Sequence, residues 1–190
     1  MSQFNTDIHK DIIELSKRGS RKAQLKLYEL YSKAMYSIAL RLLNNREDAN
    51  DVLQDAFTEA FRKIETFRFD STFGAWLKKI IINRCINELN RRNTLVNYLE
   101  DLPNEINIPD ESWKYDYETK SEETVKLIRK AMEILPDGSK TIFSLYLLEG
   151  YDHTEIAQIL NISESTSKSQ FMRAKNKIKD FLIHNAYETR

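Results

Sequence analysis

From about Asp7 to Arg92, and again from about Glu122 to His184, apolar side chains recur three and four residues apart. That spacing stacks them along one side of an α-helix. The chain of 190 residues holds only 4 Gly and 3 Pro, too few for sheets joined by tight turns. An all-α chain is the expectation. Its breaks are readable: Arg18-Gly19-Ser20 ends a first helix, and Asn44-Asn45 ends a second that carries Leu25, Tyr28, Tyr31, Met35, Ile38, Ala39 and Leu42. Acidic Glu47 and Asp48 suit the N-terminus of a third helix, where negative charge meets the helix dipole. That helix runs to about Phe67, and Ser71 or Thr72 caps a fourth from Phe73 to Arg92.

The periodicity fails between Asn93 and Ser121, where Pro103, Pro109 and many Asp and Glu residues fall. The expected organisation is a helical domain at 5–93, an acidic, flexible linker at 94–120 and a second helical domain at 121–187. In the second, a helix ends at Leu135-Pro136 and the next is capped by Asp137 or Ser139. A short helix from His153 to Leu160, a turn at Asn161-Ile162-Ser163 and a long helix from about Glu164 complete it.

Lys and Arg together number 29, as do Asp and Glu, so the formal net charge is zero. Binding nucleic acid needs surplus cations near phosphates, so the local distribution of charge decides the matter. Cys85 is the only cysteine. It lies in an apolar run, excludes an internal disulfide and suits a reducing compartment. No run of about eighteen uncharged apolar residues exists to span a membrane, and the N-terminus lacks the apolar stretch of a signal peptide. A cytoplasmic protein is expected. His9, His153 and His184 are scattered, and no phosphate loop or nucleophile motif accompanies them. Neither catalytic residues nor a metal or cofactor site is expected.

Three helix faces carry chemistry. The short helix, turn and long helix near the C-terminus have the form of a helix-turn-helix, whose second helix enters the DNA major groove. Its long helix places Phe171, Ala174, Ile178, Phe181 and Leu182 on one side. Lys168, Ser169, Met172, Arg173, Asn176 and Lys179 lie on the other, a basic mixture suited to base edges. Ser163, Ser165 and Thr166 stand at its start, where hydroxyls and free amides grip phosphate. On the third helix, Asp48, Asp51, Asp55 and Glu59 form an acidic stripe, with Val52 beside them and Gln54 at the edge. The stripe is either a solvated face or a dock for a basic protein surface. On the fourth, Trp76, Ile80, Asn83, Arg84, Asn87 and Arg91 share a side. Aromatic, amide and guanidinium groups together suit stacking on unpaired bases and holding their backbone; packing of Trp76 against the first helices is the competing reading.

At these residues the chain resembles the extracytoplasmic-function group of the sigma-70 family. The stretch LYELYSKAMYSIALRLLNNREDANDVLQDAFTEAFRKIETFR is similar to the family's core-binding region. STFGAWLKKIIINRCINELNRR is similar to its melting and minus-ten-reading region, and LPDGSKTIFSLYLLEGYDHTEIAQILNISESTSKSQFMRAKNKI to its minus-thirty-five-reading region. The resemblance implies a promoter-specificity subunit of RNA polymerase, not an enzyme. It implies that Asp48, Asp51, Val52, Gln54 and Asp55 dock on the clamp helices of the largest subunit, and that the second domain meets the flap of the second-largest subunit. Arg68, Phe69 and Asp70, in the loop Arg68 to Thr72, would help hold a flipped base, and Trp76, Asn83, Arg84, Asn87 and Arg91 would lie along the melted strand. Lys168, Ser169, Gln170, Met172, Arg173 and Asn176 would read the minus-thirty-five duplex. An anti-sigma inhibitor is an implied partner. The chain departs from the family pattern at Ser165-Thr166-Ser167, usually Gly-Thr-Val, and at Gln170, commonly basic. A regulator that binds duplex DNA without polymerase would share the C-terminal feature but has no use for the acidic stripe.

Overall fold

The computed structural model describes residues 8–92 and 122–188. Among them are eight α-helices, one 3-10 turn and no strand. The expected linker lies outside the described residues. The chain divides after Arg91 into two compact units, each with its own core. The N-terminal unit holds α1 (Lys10–Lys17), α2 (Arg21–Leu43), α3 (Arg46–Lys63), the 3-10 turn Ile64–Thr66 and α4 (Phe73–Arg91). The C-terminal unit holds α5 (Glu122–Glu133), α6 (Asp137–Leu147), α7 (His153–Leu160) and α8 (Glu164–Glu188).

Local chemistry sets the boundaries. Ser20 caps α2, its hydroxyl accepting from the Ala23 amide at 3.3 Å. The adjacent asparagines then do opposite jobs. Asn44 takes the left-handed conformation (φ 51°) that closes α2, which asparagine tolerates better than most residues. The Asn45 side chain accepts from the amides of Glu47 and Asp48 at 2.8 and 3.3 Å and so opens α3. Thr72, rather than Ser71, caps α4, accepting from the Ala75 amide at 3.2 Å. The third helix stops at Lys63, short of the expected Phe67. There the backbone tightens into the 3-10 turn, and Thr66 donates its hydroxyl to the Lys63 carbonyl at 2.7 Å. The turn brings Phe67 inward, where only 3% of it stays exposed.

In the N-terminal unit α2 packs against α1, α3 and α4. Ile13, Leu27, Leu42, Phe73, Leu77, Ile81, Ile82 and Leu89 are fully buried between them. Leu25, expected on the inner side of α2, is exposed. Ala23 and Leu27, four apart, hold the inner register, and Leu25 falls midway between them on the opposite flank. The Phe73 ring meets Tyr31, Trp76 and Phe67 at centroid distances of 5.2, 5.6 and 5.7 Å, within the range of favourable aromatic pairs. Gly74 makes room for this cluster, since a Cβ there would stand 3.0 Å from the Tyr31 ring.

The C-terminal core joins Ala131, Met132, Leu135 and Phe143 to Ala174 and Ile178 of α8, with Ile128, Phe171, Phe181 and Leu182 packed around them. Neither Asp137 nor Ser139 caps α6. The helix starts after Pro136, without a side-chain cap, and Ser139 points inward. α7 opens on a reciprocal capping box: the Asp152 carboxylate accepts from the Glu155 amide at 2.7 Å, and Glu155 accepts from the Asp152 amide at 3.0 Å.

Cys85 is a free thiol with no exposed surface, in the middle of α4. Burial pushes its pKa up to about 12, so it stays a thiol at neutral pH and lacks the reactive thiolate form. A disulfide reagent such as DTNB at pH 8 should leave the native chain unlabelled and titrate one thiol in denaturant. Rapid labelling without denaturant would contradict this packing of α4.

Candidate functional site

The acidic stripe on α3 is present with one correction. Asp51, Gln54 and Asp55 are exposed and Asp48 is half-buried. Val52, expected beside them on the docking face, is 7% exposed and belongs to the core. Because α3 packs on both α2 and α4, its buried stripe is wide, taking in Ala49, Val52, Leu53, Ala56, Phe57 and Ala60. Glu59, the fourth acid, is turned toward α4. Its carboxylate accepts from Lys63 at 2.6 Å and from Arg84 Nε and Nη2 at 2.7 and 2.6 Å. The Lys63 hydrogen bond first, then that of Arg84, holds this carboxyl below its ordinary pKa. Arg84 also reaches the exposed Asp55 at 3.4 Å. Asp51 has no ion-pair partner among the described residues.

Trp76, Asn83, Arg84 and Asn87 come together as expected, around a hollow of about 370 Å³. Ile80 of α4 and Glu59, Lys63 and Thr66 from the end of α3 and the turn after it complete its lining. Trp76 is half-buried, with its ring 5.4 Å from Phe67 and 5.6 Å from Phe73. The indole thus packs on the Phe67–Phe73 cluster and also lines the hollow. Asn83 and Asn87 are exposed, and Arg91 is exposed and paired with Glu88 at 2.9 Å. In the preceding loop Arg68 and Asp70 are exposed and Phe69 is half-buried.

In the C-terminal unit Ser163, Ser165, Lys168 and Asn176 are exposed, and Thr166, Ser169, Met172 and Arg173 are half-buried. Ser163 accepts from the Thr166 amide at 3.0 Å, and its hydroxyl meets those of Ser165 and Thr166 at 2.8 Å each. Lys168 pairs with Glu164 at 2.7 Å. One terminal nitrogen of Arg173 is enclosed without a hydrogen-bond partner. Gln170 requires a correction: it is 3% exposed and accepts from the Ser139 hydroxyl at 2.6 Å. It ties α8 to α6 instead of facing DNA. Ser167, also buried, meets His153 Nδ1 at 2.8 Å. Burial, and then the nearby Lys168 charge, holds His153 below its ordinary pKa. The register could have revealed this layer, because Ser167, Gln170, Ala174 and Ile178 follow one another at spacings of three and four.

Comparison with known proteins agrees with this geometry. Residues 27–94 match the family model of sigma-70 region 2, and residues 126–178 match that of sigma-70 region 4. The chain is 30% identical over 190 residues to the ECF RNA polymerase sigma-E factor of Escherichia coli strain K12, an alignment covering 94% of this chain and 95% of that one. It is 28% identical over 181 residues to the ECF RNA polymerase sigma-E factor of Haemophilus influenzae, covering 89% and 92%. Its fold recurs in the co-crystal structure of the sigma factor RpoE with the anti-sigma factor NepR from Bartonella quintana. That match has 23% identity, a TM-score of 0.51, and covers 83% of this chain and 94% of the other. The chain belongs to the extracytoplasmic-function group of the sigma-70 family.

Two outcomes follow from the buried contacts. Gln170→Ala should destabilise the C-terminal unit by about 1–3 kcal/mol, because the buried Ser139 hydroxyl loses its acceptor. It should leave the relative binding of single-base promoter variants unchanged in competition assays. Glu59→Gln addresses the other contact. A depressed carboxyl pKa contributes stability above its unfolded-state value and loses it as pH falls through the folded-state value. The stability difference between wild type and Glu59→Gln in urea titrations should therefore be level at neutral pH and shrink on the acid side of the ordinary carboxylate range.

Proposed function

We propose that this chain places RNA polymerase at promoters, its N-terminal unit docking on the polymerase core and capturing the melted minus-ten strand. The observation that carries this reading is the adjacency of two unlike surfaces on one small helical unit. The outer face of α3 offers Asp48, Asp51, Gln54 and Asp55, while the hollow along α4 offers Trp76, Asn83, Arg84 and Asn87. Carboxylates repel a nucleic-acid backbone and attract a basic protein surface. An exposed aromatic edge among amides and a guanidinium suits an unpaired strand. Arg68, Phe69 and Asp70 extend that surface along the loop, and Arg91 extends it to the end of α4.

The C-terminal unit supplies duplex recognition. In this reading Ser163, Ser165 and Thr166 hold a phosphate at the start of α8, and Lys168, Ser169, Met172, Arg173 and Asn176 face the major groove. The polymerase makes the phosphodiester bonds, so this subunit performs no catalysis. Its contribution is placement, together with contacts that offset the few kcal/mol needed to unstack each captured base. Work on promoters puts it in the cytoplasm, and no described helix is long and apolar enough to cross a membrane. Promoter DNA, the clamp helices of the largest polymerase subunit and the flap of the second-largest are its partners. An anti-sigma factor that covers these faces is the expected inhibitor.

Asp51→Lys tests the reading, because Asp51 is exposed and, unlike Asp55, does not touch Arg84. Its affinity for purified core polymerase, measured by fluorescence anisotropy, should fall by more than about tenfold, since truncating or reversing a charge at a complementary interface costs several kcal/mol. A duplex-binding regulator that ignores polymerase would show no specific core binding to lose.

A further inference from the structure

Phe69 has φ 62°. A bulky side chain in this left-handed region is an outlier that persists only where its surroundings enforce it. Here the enforcing groups come from α1, which precedes the residues matched to sigma-70 region 2. Lys17 Nζ lies 4.5 Å from the centroid of the Phe69 ring and 6.0 Å from that of Phe67, within cation–π range. The same ammonium donates to the Phe67 carbonyl at 2.8 Å and pairs with Glu14 at 3.4 Å. Lys10 approaches the Phe69 ring at 5.7 Å, and the ring rests 4.8 Å from Phe67. The Lys17 side chain is 19% exposed, so its aliphatic stem is packed as well.

One ammonium thus holds a carbonyl before the strained residue and the ring of the strained residue itself. With both ends fixed, Arg68 and Asp70 stay exposed on either side of Phe69. We propose that Lys17 is a positioning residue for promoter recognition, holding the loop 67–72 in the one backbone shape that meets the unpaired minus-ten strand. The inference rests on the strand-capture reading above and adds α1 to the recognition surface. Lys17 need not touch DNA. Its effect passes through Phe67 and Phe69.

The test uses holoenzyme reconstituted from purified core polymerase and the full chain, on a promoter selected by in vitro transcription of genomic fragments. Lys17→Met keeps the packed stem and removes the charge, and Lys17→Arg keeps a donor and a cation. Core affinity of Lys17→Met should match wild type within about twofold, and its N-terminal unit should still melt cooperatively above the assay temperature. Its discrimination between the selected promoter and one substituted at a single minus-ten base should fall by about tenfold, the size of a typical single-base preference. Lys17→Arg should recover most of that discrimination. Wild-type discrimination in Lys17→Met overturns the proposal, as does a loss of core affinity or fold that accounts for the whole defect. Trp76→Ala separates the two claims. If it impairs permanganate-detected melting and Lys17→Met leaves discrimination intact, only the Lys17 assignment falls. If Trp76→Ala too leaves melting and discrimination unchanged, the strand-capture reading falls with it.

Discussion

The N-terminal unit depends on the burial of Phe73. This residue opens α4, has no exposed surface, and touches Tyr31 of α2, Phe67 after the 3-10 turn and Trp76 one helical turn on. Each contact carries a separate consequence. Tyr31 ties the cluster to the core helix. Phe67 draws the chain out of α3 and so directs the loop that follows. Trp76 takes its orientation from the cluster while still lining the hollow. The aromatic wall of the hollow is therefore an extension of the core, packed from behind by the same rings. In the proposed role, a preorganised wall would lose less rotamer freedom when a base stacks on it.

Electrostatics explain how a chain of zero net charge can carry faces of unlike charge. The exposed carboxylates of α3 and the polar and basic groups of α4 lie on neighbouring helices, with Glu59 and Arg84 joined between them. Arg84 is 35% exposed and Glu59 17%, so the pair is partly shielded from water and from salt. Exposed Asp55 at 3.4 Å from Arg84 adds little by comparison. The junction neutralises charge where the two faces would otherwise interfere and leaves Asp51 outward. Sorting by face is thus local, accomplished within a single three-helix packing.

Much of this was legible in the sequence, because periodicity and capping are local signals. The Asn44-Asn45 break, the pause at Arg18-Gly19-Ser20 and the paired helices of the C-terminal unit follow from residues a few positions apart. So does the gathering of Trp76, Asn83, Arg84 and Asn87 along one side of α4. The misses that bear on the candidate site fall into two kinds. Val52 was judged by residue company rather than register, because acids surround it, and Gln170 was carried over from the family resemblance without regard to its register. In each case the spacing to buried positions pointed inward. The second kind is non-local. The Glu59–Arg84 pair joins residues 25 apart, and Lys17 meets the Phe67 carbonyl 50 residues away; no pattern within a helix encodes either.

The buried polar layer of the C-terminal unit bears on why its helix-turn-helix keeps one register. Ser139, Ser167 and Gln170 sit where apolar side chains would pack, yet each has a named partner: Ser139 with Gln170, and Ser167 with His153. Apolar surfaces tolerate small slips, since contact area changes gradually along a helix. Directed hydrogen bonds do not, because a slip of one residue leaves buried donors and acceptors unsatisfied. The Ser139–Gln170 bond fixes α8 against α6, and the His153–Ser167 bond fixes it against α7. Two restraints from different helices define both the rotation and the height of α8. Burial, and then the Lys168 charge, favours the neutral form of His153. In the proposed duplex-reading role, a helix whose outer residues match base edges to a fraction of its own pitch would need this kind of restraint more than additional apolar area.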